Sequence, residues 1–370
     1  KHDADGNVIL LGANHIDDNL HAGFEDEVEA LKAGVKEDVN ITELGPLSKH
    51  LGVNFGIKED EDGVYIELSM DAYTLDLIQD AEKSVGKVIP VFETPGKPQE
   101  ILMKHDEEAH KQEAYRRIVG KALYAVRKVY PECSNAMIEL TSHLSNPGEE
   151  HGTALERLIV YLKAPRTKLQ LRTPDEIRVT AFSDSDWATD KNDRKSISSC
   201  LLTIGGALTQ WHSKKQTGVA LSSTEAELSS ASLAAQGIKA QNMLLEEMVG
   251  KELKKPSRLM VDNTGAVHIA ANGSVGTRTK HIDIKDRYVT QLTTSGELDV
   301  IYINTDDNPS DVISKNCMVS MHQKHTRVIR QGRFPTLSRE DVGAQAPISL
   351  NPENNDGKDP EIANNPWVTV

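Results

Sequence analysis

The sequence predicts an α/β fold for the middle of the chain, with a mixed five-stranded sheet carrying helices on its faces. Two observations support this prediction. Between residues 177 and 317, three strand-like segments come first, and a long amphipathic helix then leads into two further strands that alternate with helices. The chain is 38% hydrophobic, which is enough to build buried cores. Such an order of elements is typical of a sheet layered between helices.

The first three strands are predicted to form an antiparallel group. Residues 177–181 alternate apolar and polar side chains, which is the two-residue period of a half-buried strand. The segment 196–204 is rich in β-branched residues, and Gly205-Gly206 after it is typical of a hairpin turn. We therefore predict the second strand over 196–204 and the third over 207–213.

Helices and strands alternate in the second half of this region. A long helix is predicted over 223–248, because apolar side chains recur there at helical spacing and form one stripe. Strands are predicted over 258–261 and 298–303, and helices after Asp262, over 282–293 and from Asn308 onward.

The segment upstream of residue 177 is predicted to mix strands with helices. Helices are expected over 71–83, 107–128 and 150–163, and a turn between two strands is expected at 58–63. Pro165 and Pro174 flank a predicted linker, and Asn, Pro, Asp and Gly dominate the end of the chain, where we expect disorder.

The net charge of −14 argues against a broad nucleic-acid-binding surface. Most of the excess acid precedes residue 177, so a polyanion would bind further along the chain through a local patch aided by metal ions.

Cys133, Cys200 and Cys317 lie far apart without metal-ligand spacing, which suggests a reducing, intracellular compartment, either cytoplasm or nucleus. No apolar run has the length of a membrane span and no secretory signal is present, so no membrane partner is expected. Because the first residue is Lys1, we expect a fragment of something longer.

Four acidic residues occupy positions where a two-metal phosphodiesterase would need them. Asp184 and Asp262 follow apolar strands, Glu227 lies beside the apolar stripe of the long helix, and Asp311 begins the last helix. Converging carboxylates of this kind hold two divalent ions about 3.5–4 Å apart. Each acid also has an ordinary structural explanation, since aspartate is common in turns and at helix starts. Asp186 is a neighbouring alternative on the strand.

Glu225 is expected to serve structure. Ser222 and Glu225 have the spacing of a capping box, in which each side chain accepts a hydrogen bond from the backbone at the helix start. This leaves Glu227 free for a metal.

Several long motifs, in order, resemble the ribonuclease H region of copia-type retrotransposon polyproteins: the segment 183–227, VDNTGAVHIA, RTKHIDI and NPSDVISK. The resemblance covers nearly all of 177–317 and implies a ribonuclease H-like fold. It also implies cleavage of the RNA strand in RNA–DNA hybrids by four catalytic residues: Asp184, Glu227, Asp262 and Asp311. These residues would hold two Mg²⁺ ions, with Mn²⁺ as the alternative metal.

Looser resemblance to the same polyproteins continues upstream. His15-Ile16-Asp17-Asp18 resembles the palm-domain turn of reverse transcriptases, with His15 in place of the usual Tyr. The first palm aspartate of the family is absent from this chain, so Asp17 and Asp18 would form an incomplete polymerase site, or simply a solvated hairpin tip. The resemblance divides the chain into four segments: a palm remnant over 1–70, a thumb or connection-like helical region over 71–176, the ribonuclease H domain over 177–317, and a disordered tail over 318–370.

Two groups of polar residues could contact a nucleic-acid partner, because side chains of these types often bind phosphates. They are Ser213, Lys214, Lys215 and Gln216 at the end of the third strand, and Arg278, Lys280 and His281 downstream. A solvated loop explains either group equally well. Further expected partners are the RNA–DNA hybrid itself and the remainder of the polyprotein.

Two other functions stay open. A DDE integrase-type strand-transferase would use Asp184, Asp262 and Glu297, but Glu297 begins a predicted strand, whereas that chemistry places its glutamate on a helix. A catalytically inactive remnant that binds nucleic acid would need none of the acids.

Overall fold

A computed structural model describes residues 1–85, 92–105, 112–173, 176–253, 255–272 and 283–337 of the chain. Lys1–Thr336 form one compact unit. Its described strands form three sheets, namely a two-stranded hairpin, a four-stranded sheet and a five-stranded sheet.

The start of the chain forms the hairpin, one helix and most of the four-stranded sheet. The elements are β1 (Leu10–His15), β2 (Asp18–Gly23), α1 (Glu25–Asp38), β3 (Lys49–His50), β4 (Val53–Asp60) and β5 (Gly63–Ser69). The turn predicted over 58–63 joins β4 to β5, whose antiparallel register pairs Asp60 with Gly63. Gly63 has a φ of 108°, which glycine adopts without steric cost.

A helical region follows. It consists of α2 (Asp71–Val85), α3 (Gln112–Val129), a 3₁₀ turn (Pro131–Cys133), α4 (Ser134–Ser142) and α5 (Glu149–Lys163). In α3, Ile118, Ala122 and Val126 are buried at a spacing of four residues, so one stripe of the helix faces the shared apolar core. The helices predicted near 71–83 and 150–163 are present, as is the described part of the one over 107–128, whereas α4 was not predicted.

The linker predicted between Pro165 and Pro174 is wrong. Leu169–Arg172 form strand β6, which pairs antiparallel with β5 and completes the four-stranded sheet. Leu169 is buried there and pairs with Leu68, so the strand joins the late part of this region to the strands near the start of the chain. A four-residue strand between two prolines gives too short a pattern to recognise from sequence.

The five-stranded sheet lies in the middle of the chain, as predicted. Its elements are β7 (Val179–Asp186), β8 (Ile197–Ile204), β9 (Ala207–Lys215), α6 (Ser223–Val249), β10 (Ser257–Val261), α7 (Thr264–Asn272), α8 (Asp283–Thr294), β11 (Leu298–Tyr302) and α9 (Asp311–Ser314). The strand order is β11-β10-β7-β8-β9. The first three strands are antiparallel, while β10 and β11 run parallel to β7. The predicted mixed sheet with flanking helices is therefore confirmed.

Alternation along β7 places its side chains on opposite faces of the sheet. Val179 and Ala181 belong to the core formed with the helices α6, α7 and α8. Phe182 faces the other side, where its ring centroid lies 5.4 Å from that of Phe334. Because β7 is central and covered on both faces, acids at its end are held on a rigid element.

The predicted disorder of 318–370 is wrong for the first part of that segment. Val319–Gln331 form helix α10, with His322, Ile329 and Arg330 buried. Most of its buried residues are polar or charged, so the usual apolar stripe does not indicate this helix in the sequence. Residues 338–370 lie outside the described part of the chain. Among the described residues, no helix combines the length and apolarity that crossing a membrane requires.

Candidate active site

Asp184 and Asp262 lie side by side at the carboxyl ends of neighbouring strands. Ser183 of β7 pairs with Val261 of β10 in parallel register, and each aspartate is the next residue along its chain. Parallel strands end at the same edge of a sheet, which brings the two carboxylates together. Asp184 is 2% exposed and lies inside β7, which continues to Asp186.

Glu227 reaches the same edge from α6. Single carboxylate oxygens of Asp184, Glu227 and Asp262 all lie within 4.8 Å of one another. Glu227 Oε1 accepts a hydrogen bond from the backbone N–H of Ser185 at 3.0 Å. One turn further along α6, Ser230 Oγ contacts the carbonyl oxygens of Asp184 at 2.7 Å and Ser199 at 2.9 Å. These contacts fix the helix against the sheet and set the position of Glu227.

The start of α6 confirms the structural use of Glu225. Ser222 Oγ accepts a hydrogen bond from Glu225 N–H at 3.1 Å. Glu225 Oε2 accepts one from Leu221 N–H at 2.7 Å, one residue earlier than the predicted box. Glu225 therefore caps the helix, while Glu227 faces the acidic cluster.

Asp311 joins the cluster through a lysine. Asn308 anchors the chain before α9 by donating to the carbonyl of Ser183 at 2.9 Å. Asp311 Oδ2 lies 3.0 Å from Lys315 Nζ, and the same ammonium lies 3.7 Å from Asp184 Oδ2. Ser314 Oγ donates to that oxygen of Asp184. All four predicted acids thus meet at one edge of the sheet.

Burial and mutual repulsion shape the electrostatics of this cluster. Burial raises the pKa of Asp262 to about 6 and that of Asp311 to about 8, and the neighbouring Asp184 charge adds to both shifts. Burial, reinforced by Asp184 and Asp262, also holds the pKa of Glu227 well above its ordinary value. Burial opposes the charge of Lys315, but Asp184 and Asp311 outweigh it and raise the lysine pKa. The cluster therefore favours binding of a cation.

Lys315 was not singled out from the sequence. It is the last residue of the motif NPSDVISK, four residues after Asp311. Oppositely charged residues at that spacing meet on a helix, and this signal could have identified it.

The predicted phosphate-contacting residues after the third strand are mostly engaged within the fold. Ser213 Oγ donates to the carbonyl of Ile313, and Lys215 forms ion pairs with Asp190 and Asp193. Gln216 Nε2 donates to Ser198 Oγ and to the carbonyl of Ala226. Lys214 is exposed and remains a candidate contact. Arg278, Lys280 and His281 lie outside the described residues.

Asp17 and Asp18 occupy the tip of an exposed hairpin. Ile16 and Asp17 form the turn between β1 and β2, and His15 pairs with Asp18. Ile16 is 87% exposed, and both aspartates are exposed. They belong to a different sheet from the four clustered acids.

Comparison with known proteins gives relatives of one kind over most of the chain. No family model matches. The retrovirus-related Pol polyprotein from transposon RE1 of Arabidopsis thaliana is 30% identical over 317 residues, which are 81% of this chain and 21% of the relative. The corresponding polyprotein from transposon TNT 1-94 of Nicotiana tabacum is 26% identical over 323 residues, or 85% of this chain and 24% of the relative. The chain thus spans about a quarter or less of the length of these curated relatives.

Solved structures similar to this chain include ribonucleases H. The ribonuclease H1 of the halophilic archaeon Halobacterium salinarum is 16% identical with a TM-score of 0.29, covering 38% of this chain and 95% of that chain. LC11 ribonuclease H1 in complex with an RNA/DNA hybrid is 12% identical with a TM-score of 0.27, covering 35% of this chain and 88% of that one. The matches to the Pol polyproteins extend over about four fifths of this chain. By those matches, the chain is a homologue of a segment of the retrovirus-related Pol polyproteins of copia-type retrotransposons, as its motifs predicted.

Proposed function

We propose that this chain hydrolyses the RNA strand of RNA–DNA hybrids, using two divalent cations held by Asp184, Glu227, Asp262 and Asp311. The observation that carries the proposal is the approach of three carboxylates to within 4.8 Å at the edge of the five-stranded sheet. Asp311 adds a fourth through its shared lysine. Homology to retrotransposon Pol polyproteins supports a nucleic-acid substrate and a place in a longer polyprotein.

The residues present fit hard cations such as Mg²⁺, and Mn²⁺ is a possible substitute. Glu227 Oε2 and Asp311 Oδ1 are buried and have no hydrogen-bond partner among the described residues. Buried carboxylate oxygens are costly without a partner, and oxygen donors are the ligands that Mg²⁺ prefers. When bound, two such ions would supply positive charge for the attacking water and for the leaving oxygen.

The protein's contribution would be to hold these donors in place. Asp184 lies inside a central strand, and its carbonyl and carboxylate oxygens are fixed by Ser230 and Ser314. Glu227 is oriented by the backbone of Ser185. Rigid positioning of this kind lets charge be stabilised without reorganisation during the reaction. Lys315 would balance the acids and lies close enough to the cluster to face a substrate phosphate.

The integrase-type alternative is not supported. Glu297 immediately precedes β11, whereas Asp262 follows β10, and the parallel register pairs Ser257 with Leu298. Glu297 and Asp262 therefore lie at opposite ends of these parallel strands. The strands are five residues long, which separates the two acids by about 16 Å. Glu297 forms an ion pair with Lys239 instead.

We expect no polymerase activity from this chain. Asp17 and Asp18 lie at an exposed hairpin tip, on a different sheet from the four clustered acids, and two exposed aspartates do not make a metal-binding polymerase site. Templated nucleotide incorporation by the purified protein would contradict this expectation.

The experiment that separates the proposed function from its alternatives is a cleavage assay with and without Mg²⁺. The substrates are an end-labelled RNA–DNA hybrid, the matching DNA duplex and the single-stranded RNA. The proposal predicts Mg²⁺-dependent cuts in the RNA strand of the hybrid only. Cutting of the DNA duplex without preference would favour strand-transfer chemistry, and no cutting of any substrate would favour the inactive remnant.

A further inference from the structure

Asn316, directly after Lys315, is held by residues of the upstream helical region. Its side-chain Nδ2 donates to the carbonyl of Glu100 at 2.8 Å and to Glu139 Oε1 at 2.9 Å. Its Oδ1 accepts from Asn135 Nδ2 at 3.0 Å, and its backbone carbonyl accepts from Gln99 N–H at 3.0 Å. Every polar group of the side chain is therefore used, and each of these partners precedes the five-stranded sheet by forty residues or more.

The loop that receives Asn316 is shaped closely around it. A Cβ added to Gly96 would lie 2.1 Å from Asn316 Oδ1, so only glycine leaves room for this side chain. Gln99 has a φ of 59°, a left-handed conformation that non-glycine residues rarely adopt, and its N–H reaches Asn316. Strained backbone of this kind persists only where the surroundings determine it.

The segment that carries Asn316 has little structure of its own to hold it. Helix α9 is four residues long, and a helix of that length is not stable by itself. Lys315 closes its last turn, with its backbone N–H donating to the carbonyl of Asp311 at 3.1 Å. The side chains of both residues point into the acidic cluster, while Asn316 points into the helical region.

We propose that Asn316 is a positioning residue that couples the loop of residues 96–100 and helix α4 to the acidic cluster, by fixing Lys315 and Asp311 there. This inference rests on the proposed function. The upstream residues that hold Asn316 would then help to position the nuclease site, although they bind no metal themselves. Residues that orient metal ligands from outside the ligand set change metal affinity by about 10–100-fold when they are replaced. We expect an effect of that size from loss of the Asn316 contacts.

Two variants of the full chain test the coupling from opposite sides. Asn316→Ala removes the hydrogen bonds, and Gly96→Ala adds a methyl group that displaces Asn316 without altering any residue after position 177. The matched controls are Asn242→Ala and Gly152→Ala. Asn242 is buried and hydrogen-bonded to Ser257 at 2.9 Å, but lies about 22 Å along α6 from Glu227. A Cβ on Gly152 would meet nothing within 4 Å.

The measurements are Mn²⁺ affinity by titration calorimetry, melting temperature, and kcat and KM for a hybrid. We expect both test variants to bind Mn²⁺ at least about tenfold more weakly than wild type, while both controls keep wild-type affinity. In the test variants, kcat should fall by a larger factor than KM rises. Excess Mn²⁺ should partly rescue kcat. Test variants that bind Mn²⁺ as tightly as their controls would overturn the coupling but leave the proposed function intact. A wild type that neither binds Mn²⁺ nor cleaves the hybrid would overturn both. If Asn316→Ala does not fold, the Gly96→Ala result decides.

Discussion

Replacing Arg330 with methionine should destabilise the whole compact unit, although this residue lies in the segment predicted to be disordered. Arg330 is 3% exposed, and its Nε lies 3.1 Å from Oε1 of Glu132, which is 1% exposed. Its Nη1 donates to the carbonyl of Thr167 at 2.8 Å. Methionine has a similar length but leaves Glu132 as a buried, unpaired charge. Breaking a buried ion pair from one side typically costs about 3–5 kcal/mol.

The matched control is Arg333→Met, three residues before the end of the same compact unit. Arg333 also pairs with a carboxylate from upstream, Asp62, but both side chains are about half exposed. Exposed pairs contribute about 0–1 kcal/mol. Urea unfolding, followed by circular dichroism, measures both costs from the shift in the transition midpoint. A loss below about 1 kcal/mol for Arg330→Met, equal to that of Arg333→Met, would refute the view that α10 is integral to the fold.

Three further predictions concern the acidic cluster, a buried histidine of α10 and the cap of α6. Lys315→Met should lower the melting temperature of the metal-free protein, because Asp184 and Asp311 lose a shared counter-charge. Added Mn²⁺ should raise the melting temperature of this variant more than that of wild type, and scanning calorimetry with and without Mn²⁺ checks both effects. Burial lowers the pKa of His322 to about 4 from 6.5, so the unfolded chain binds more protons at this residue between pH 6.5 and pH 4. This residue should therefore contribute about 2 kcal/mol to any loss of stability between pH 7 and pH 5, and His322→Gln should remove that contribution when urea unfolding is compared at the two pH values. Ser222→Ala should cost about 1 kcal/mol in the same assay, because Glu225 N–H loses its cap.

The sheet could be predicted from sequence because its patterns are local. Alternation in β7, the Gly205-Gly206 turn and the apolar stripe of α6 each lie within one element. The bounds of α6 and the place of the turn agree with the prediction to within about two residues. The acids could be located for a related reason. Strand ends and helix starts are visible in sequence, and parallel strands must end at the same edge.

The remaining features depend on contacts between distant segments. Strand β6 forms because it pairs with β5, about a hundred residues earlier, and no pattern within Leu169–Arg172 indicates that partner. Helix α10 buries an arginine because Glu132 neutralises it, so its pattern is not apolar. The roles of Lys315 and Asn316 likewise depend on Asp184 and Glu139, more than a hundred residues away.

In the proposed function, Asp262 is a metal-binding catalytic acid, whereas Glu225 is a structural cap. Hybrid cleavage in Mg²⁺, measured side by side for Asp262→Asn and Glu225→Gln, distinguishes these two roles. Asparagine keeps the shape of Asp262 but removes the charge that attracts the ion, so cleavage should be lost while the melting temperature is retained or raised. Glutamine can still accept the hydrogen bond from Leu221 N–H, so cleavage should stay near wild type. Wild-type cleavage by Asp262→Asn together with an inactive, folded Glu225→Gln would contradict the assignment of the site.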